Sequence, residues 1–240
     1  FGEDDDPFRL AFATEGHRVA VGGSRDFETD DSAAEAAVRA ARAAGSIMTR
    51  NFHVPKKVTA STQHDIKLEL DVRCQRLIEN TLRASFPNAA LLGEEGIAGR
   101  ADAAYRWVVD PIDGTVNFSY GIPHACVSIA LQARGISRIG AGPDKVVPAF
   151  ETIAGVVYDP FCQELWTGIR GQAARLNGKT IRVSSRKRLD EAVIALGFAK
   201  EKRTVAEMLP MLNKLAHRVR KLRIMGAAAL AMPAAPASGP

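Results

Sequence analysis

From Ser32 onward, apolar residues return at helical spacing. Ala34, Val38, Ala41, Gly45 and Met48 share one face and predict a packed helix. Ser32 with Glu35 has the form of a capping box, so this helix is expected to start at Ser32. Leu70, Cys74, Leu77, Ile78 and Leu82 predict a second amphipathic helix that ends near Pro87. Between them, the polar and basic run Val54 to Thr62 reads as a loop or hairpin. The period then shortens. Ala89 to Gly93 reads as a short apolar strand that runs into Glu94-Glu95. Arg106 to Val109 is another, running into Asp110, and Val127 to Leu131 is a buried strand. Gly155 to Tyr158 and Glu164 to Thr167 are expected to pair. Asn177-Gly178 predicts a tight turn before a strand from Thr180 to Val183. A short strand from Ala192 to Leu196 then precedes a basic helix from about Thr204 to Lys221. The Gly- and Arg-rich stretch Ala133 to Pro148 reads as an inserted loop.

Three segments follow. Residues 1–31, Gly- and Asp-rich with weak periodicity, are expected to be a poorly ordered leader. Residues 32–232 are expected to form one domain. Residues 233–240 are a Pro/Ala-rich low-complexity tail.

Composition narrows the class. The chain has 240 residues, 46% of them hydrophobic, which suffices for one sizeable domain or two packed halves. The sequence shows no apolar stretch of membrane-spanning length and no basic segment followed by an apolar run at its start. Cys74, Cys126 and Cys162 are far apart and form no CxxC pair. They read as reduced thiols of a cytoplasmic protein, with no structural zinc. The net charge of +5 is unevenly spread, with 12 Lys/Arg against 4 Asp/Glu between Arg182 and Arg223. Such a lobe attracts phosphorylated ligands or nucleic acid, or is simply a solvated helical face. It carries no interleaved aromatics for base stacking, so nucleic acid is not the expected partner.

The chemistry concentrates where strands end in carboxylates. Asp110-Pro111-Ile112-Asp113-Gly114-Thr115 places two acids three positions apart on a Pro-stiffened turn, with the Ile112 carbonyl between them. Together with Glu94 these give an all-oxygen donor set, which suits Mg²⁺ rather than zinc. Gly114 lets the backbone approach a ligand closely. Gly114 to Asn117 reads as the first turn of a helix, where unpaired N–H groups favour a phosphate. Metal ligands beside a phosphate cradle point to metal-assisted phosphoryl chemistry.

These segments resemble the inositol monophosphatase family. The likeness covers most of the chain, from about Glu35 to Ala231. It rests on Asp65 to Asp71, Gly93-Glu94-Glu95-Gly96 and Trp107 to Phe118. Softer similarity runs through Asp159-Pro160, Glu164-Leu165-Trp166 and Gly171 to Gly178. The resemblance implies an α+β fold, an α-β-α-β-α layered sandwich. It also implies a homodimer and lithium-sensitive hydrolysis of a phosphate monoester with two or three Mg²⁺ ions. Residue by residue, Glu94, Asp110, the Ile112 carbonyl and Asp113 match metal ligands, and Asp71 stands beside a third, weaker ion. Thr115 and Glu94 match the pair that orients the attacking water. Gly114 and Thr115 match phosphate donors, with Asp113 beside them, and Gly226-Ala227-Ala228 matches a segment that contacts substrate.

The pattern departs in two places. Val116 stands where the family has a second Thr. The family's later Trp-Asp motif, whose Asp holds the second ion, is not found in this sequence. The low-complexity ending suggests truncation before that motif, with one good metal site and an impaired second one. The leading expectation is hydrolysis of inositol monophosphate. Fructose bisphosphate, histidinol phosphate and adenosine bisphosphate are the alternative substrates. A catalytically impaired anion- or RNA-binding protein is the alternative of another class.

Overall fold

A computed structural model describes residues 27–62, 66–94, 96–138, 146–197 and 202–231. The chain opens with α1 (Phe27–Asn51), followed by a hairpin of β1 (Val58–Ser61) and β2 (Ile66–Leu68) and then α2 (Glu69–Ser85). Next come β3 (Ala90–Gly93), β4 (Gly96–Ala98), β5 (Tyr105–Asp113) and the short α3 (Thr115–Ser119). The long hairpin of β6 (Cys126–Arg138) and β7 (Val146–Asp159) leads to β8 (Glu164–Ile169). The small strands β9 (Arg175–Leu176) and β10 (Lys179–Thr180) follow. The chain continues through β11 (Val193–Leu196), α4 (Lys202–Ala216), β12 (Lys221–Ile224) and α5 (Ala228–Ala231).

The described strands β3 to β10 form a mixed sheet in the order β10-β9-β8-β7-β6-β5-β3-β4. Only β3 and β5 run parallel within it, and the remaining neighbours are antiparallel. β11 and β12 pair in parallel as a separate small sheet. This is the expected α+β arrangement, a sheet flanked by helices.

Side-chain alternation divides the large sheet between two cores. Trp107, Val109, Val127, Ile129, Leu131 and Val156 point to one face and pack with α1 and α2. Cys126 and Val157 point to the other face, where they meet Ala227, Ala229 and Leu230 of the C-terminal segment. Alanine dominates the buried face of α1, so this helix lies close to its neighbours. Ala33, Ala36, Ala37, Ala40, Ala41 and Ala44 are all buried. A Cβ on Gly45 would sit 2.6 Å from the Tyr158 ring, so glycine is required at that crossing.

Several expectations need correction. α1 begins at Phe27, so Ser32 and Glu35 lie inside the helix and form no capping box. Tertiary contacts hold the earlier turn. Asp30 is buried against Arg170 at 3.6 Å, and Gln172 donates to Asp31 at 3.0 Å. The rest of the leader, and the tail, lie outside the described residues. Ala133 to Arg138 and Val146 to Pro148 are not loop. They are the outer arms of the β6–β7 hairpin, paired from Ala133↔Glu151 to Arg138↔Val146. Residues 139–145 lie outside the described set. α4 spans Lys202–Ala216 rather than reaching Lys221, and Lys221 to Ile224 is a strand that pairs with β11. At Asn177-Gly178 the positive φ angles of 48° and 79° make the expected tight turn, but the strand after it covers only Lys179–Thr180.

Candidate active site

The acidic segment is not a turn. Asp110, Pro111, Ile112 and Asp113 are the end of β5 itself, where the pairing with β6 slips between Asp110 and Asp113. A bulge of this kind re-aims side chains that strict alternation would send to opposite faces. Pro111 has no N–H to contribute to the ladder, and it sits within the slipped stretch. The chain then turns through Gly114 at φ 91°. A Cβ there would lie 2.9 Å from the His124 carbonyl oxygen and 3.1 Å from Ala227 Cβ, so only glycine fits both the angle and the space. α3 starts at once, as expected, with Thr115 as its first residue.

Three acids bear on a fourth here. Asp110 is held well above the usual carboxylate range, first by withdrawal from water and then by the charges of Asp113, Glu94 and Asp71. The Ile112 N–H, donated to Asp110 Oδ1 at 3.2 Å, works in the other direction. Asp113 is also raised by burial. Backbone N–H groups of Ala229 and Ala228 offset part of that, at 2.6 Å to Oδ2 and 3.1 Å to Oδ1. Asp71 is buried at the start of α2, and its Oδ2 accepts the Leu68 N–H at 2.7 Å. Glu94 follows β3 directly, and its Oε1 lies 3.4 Å from Lys67 Nζ on β2.

The structure therefore brings the expected residues into one region. Glu94, Asp110, Ile112, Asp113, Gly114 and Thr115 lie at the ends of the parallel neighbours β3 and β5. Gly226, Ala227 and Ala228, more than a hundred residues later, reach the same place: Ala228 bonds Asp113, Ala227 lies against Gly114 and Gly226 against Asn117. Asp71 joins through its charge on Asp110.

The donors are engaged within the protein. Thr115 Oγ1 donates to the Ile112 carbonyl at 2.8 Å, Asp113 holds α5, and Glu94 faces Lys67. Accordingly, among the described residues no three His, Cys, Asp or Glu side chains stand together as a ready metal cage. The donor chemistry still fits a hard divalent cation. The set is all oxygen, and Asp113, Glu94 and Asp71 raise the proton affinity of Asp110, a repulsion that a bound cation would relieve. A separate cavity of about 180 Å³ beside Lys56, Lys57 and Arg73 includes none of the four acids.

Sequence reasoning missed three contributors. Lys67 lay inside a recognised stretch but was given no role. Asn117 Nδ2 donates to the carbonyls of His124 at 2.9 Å and Met225 at 2.7 Å, joining α3 to the start of β6 and the end of β12. Cys126 is fully buried with its thiol 3.6 Å from Asp113 Oδ2. Burial first, and then Asp113 and Asp110, push that thiol well above its usual range. Only the bond from Asn117 to the His124 carbonyl, seven residues on, had a local signal, because an Asn in a first helical turn often serves the backbone.

Comparison with known proteins agrees with this geometry. The family model described as "Inositol monophosphatase family" matches residues 29–141 and 146–236. "Inositol monophosphatase 1" of Solanum lycopersicum is 39% identical over 200 residues, covering 81% of this chain and 68% of that protein. "Nus factor SuhB" of Escherichia coli (strain K12) is 36% identical over 198 residues, covering 81% and 68%. Among solved structures, the extragenic suppressor protein suhB from Bartonella henselae superposes with a TM-score of 0.72 at 33% identity, covering 82% of this chain and 72% of that one. The acids at the ends of β3 and β5, the glycine turn into α3 and these likenesses lead to one conclusion: the chain belongs to the inositol monophosphatase family, whose members are phosphatases that hydrolyse phosphate monoesters.

Proposed function

We propose that the chain hydrolyses a phosphate monoester, with inositol monophosphate as the leading substrate, by a Mg²⁺-dependent mechanism. The observation that carries this reading is the convergence of Asp113, Glu94 and Asp71 on Asp110 beside the Gly114–Thr115 turn. Glu94, Asp110, the Ile112 carbonyl and Asp113 would hold the metal. When bound, Mg²⁺ supplies Lewis acidity and an activated water for in-line attack at phosphorus. Each residue of the chain then has a definite task. The N–H groups of Gly114 and Thr115 open α3 and receive phosphate oxygens. Thr115 Oγ1 donates to the Ile112 carbonyl at 2.8 Å, and Thr115 and Glu94 would together orient the attacking water. Gly226 to Ala228 close the substrate side, because Asp113 holds them against the turn.

Phosphate release over a panel of monoesters tests this, in Mg²⁺, in EDTA and with added lithium. Inositol monophosphate is expected to lead fructose bisphosphate, histidinol phosphate and adenosine bisphosphate. Asp110→Asn is expected to lower the rate by about a hundredfold or more, since it removes a charged donor from the metal set. Unchanged turnover in EDTA would overturn the metal-dependent reading. The family likeness also supports a homodimer, which sedimentation equilibrium would read. Among the described residues no helix is long and apolar enough to cross a membrane.

A second reading rests on the basic surface. Arg218, Arg220, Lys221 and Arg223 are exposed around β12, and one relative carries the name Nus factor. RNA retention that weakens steeply with salt would favour it.

A further inference from the structure

Among the described residues, Lys67 is the side chain of opposite charge paired with Glu94 of the acid group. It lies on β2, whose next residue, Leu68, is 1% exposed and faces the core. Side chains alternate along a strand, so burial of Leu68 turns Lys67 to the opposite side. That strand is held on several sides. The Leu68 N–H donates to Asp71, Thr59 Oγ1 donates to the Lys67 carbonyl at 3.2 Å, and β2 packs against α3. The Lys67 ammonium ends 3.4 Å from Glu94 Oε1, with both side chains about one-third exposed. The neighbouring Lys57 is engaged elsewhere, 2.7 Å from Glu69.

Glu94 is thus shared between two roles. It is a carboxylate whose charge reaches Asp110, and it is the partner of a tethered ammonium. We propose that Lys67 is a built-in counter-cation at Glu94 that a divalent ion must displace, so that Lys67 sets the metal affinity of the site. This rests on the metal-dependent reading above. Lys67 is a positioning residue here: it holds Glu94 while no metal is bound, and yields it when one arrives. A tethered ammonium neutralises a carboxylate at no cost in diffusion, but it donates hydrogen bonds and cannot coordinate. A hard divalent ion therefore wins Glu94 only at a reduced apparent affinity. Partly exposed ion pairs are worth up to about 1 kcal/mol, so the competition amounts to about fivefold in the dissociation constant.

The test is a Mn²⁺ titration of the full chain, reading free Mn²⁺ by its paramagnetic resonance signal. Lys67→Met is expected to tighten Mn²⁺ binding about fivefold, and Lys67→Arg to stay near the parent protein. In a Glu94→Gln background, Lys67→Met is expected to change nothing, because the contested carboxylate is gone. If the parent binds Mn²⁺ and Lys67→Met binds it equally or more weakly, the role of Lys67 is overturned and the metal reading stands. Tightening that persists with Glu94→Gln also overturns it, since the effect then comes from general charge. If none of the proteins binds Mn²⁺, the metal-dependent reading fails and this inference fails with it.

Discussion

Asp113 accepts the Ala229 N–H at 2.6 Å, and so the carboxylate proposed to hold a metal also caps the first turn of α5. Its other oxygen takes the Ala228 N–H at 3.1 Å. The same residue therefore serves chemistry and architecture, and its variants should separate the two. Asp113→Ala leaves two N–H groups without an acceptor and is expected to cost about 2–3 kcal/mol. Asp113→Asn keeps one acceptor oxygen and is expected to cost about half of that while losing phosphatase activity. Urea unfolding and phosphate release on the same preparations check both.

Gly114→Ala is expected to be among the most damaging single changes. The added carbon would meet the His124 carbonyl at 2.9 Å, at a φ of 91° that an L side chain resists. Strain of this kind costs about 1–2 kcal/mol before the contact is counted. The midpoint of urea unfolding should fall accordingly, and turnover should drop further than stability alone explains.

Much of this site was legible in the sequence because its parts are contiguous. Asp110 to Thr115 is one short run, and the acids, the glycine and the helix start follow each other along the chain. Pairings that cross the fold were not legible. Nothing local links Lys67 to Glu94, which meet only because β2 and β3 end near each other. The basic helix expected to run to about Lys221 stops at Ala216, and Lys221-Leu222-Arg223-Ile224, given no element from its sequence, is a strand because it pairs in parallel with β11. The Gly- and Arg-rich arms of the β6–β7 hairpin look like loop because their composition is loop-like. They are strand because backbone hydrogen bonds, indifferent to composition, continue along them.

The first turn of α1 depends on a distant cation. Arg170 lies 3.6 Å from buried Asp30 and donates to Glu151 at 2.9 Å. Arg170→Leu removes this ion pair from a buried carboxylate and is expected to cost about 2 kcal/mol. Hydrogen exchange should rise at the start of α1 before it rises in the middle of the helix.

The thiols differ in burial, and reagents should report that difference. Cys162 is exposed, whereas Cys74 and Cys126 are buried. One thiol per chain is expected to react in the native state and three after unfolding. Burial, and secondarily the charge of Asp71, push the Cys74 thiol up to about 12. An unfolded thiol loses its proton at about 8.5. The folded state keeps the proton over this interval while the unfolded state gives it up. The contribution is therefore complete below about pH 8.5 and is lost as pH climbs toward 12, at up to about 1.4 kcal/mol per unit. Cys74→Ala should show a shallower alkaline decline than the parent protein, whatever its starting stability.

The Asn117 amide clasps the carbonyl of Met225 across a sequence separation of 108 residues, and Asp113 reaches Ala229 across 116. Contacts that close so long a loop come late when a chain folds, because the entropy of closure must be met before they can form. Helices and local hairpins can return within a refolding experiment well before this clasp does. The order of events then completes the site in two stages: the acids assemble with β3 and β5, and the C-terminal segment closes over them last.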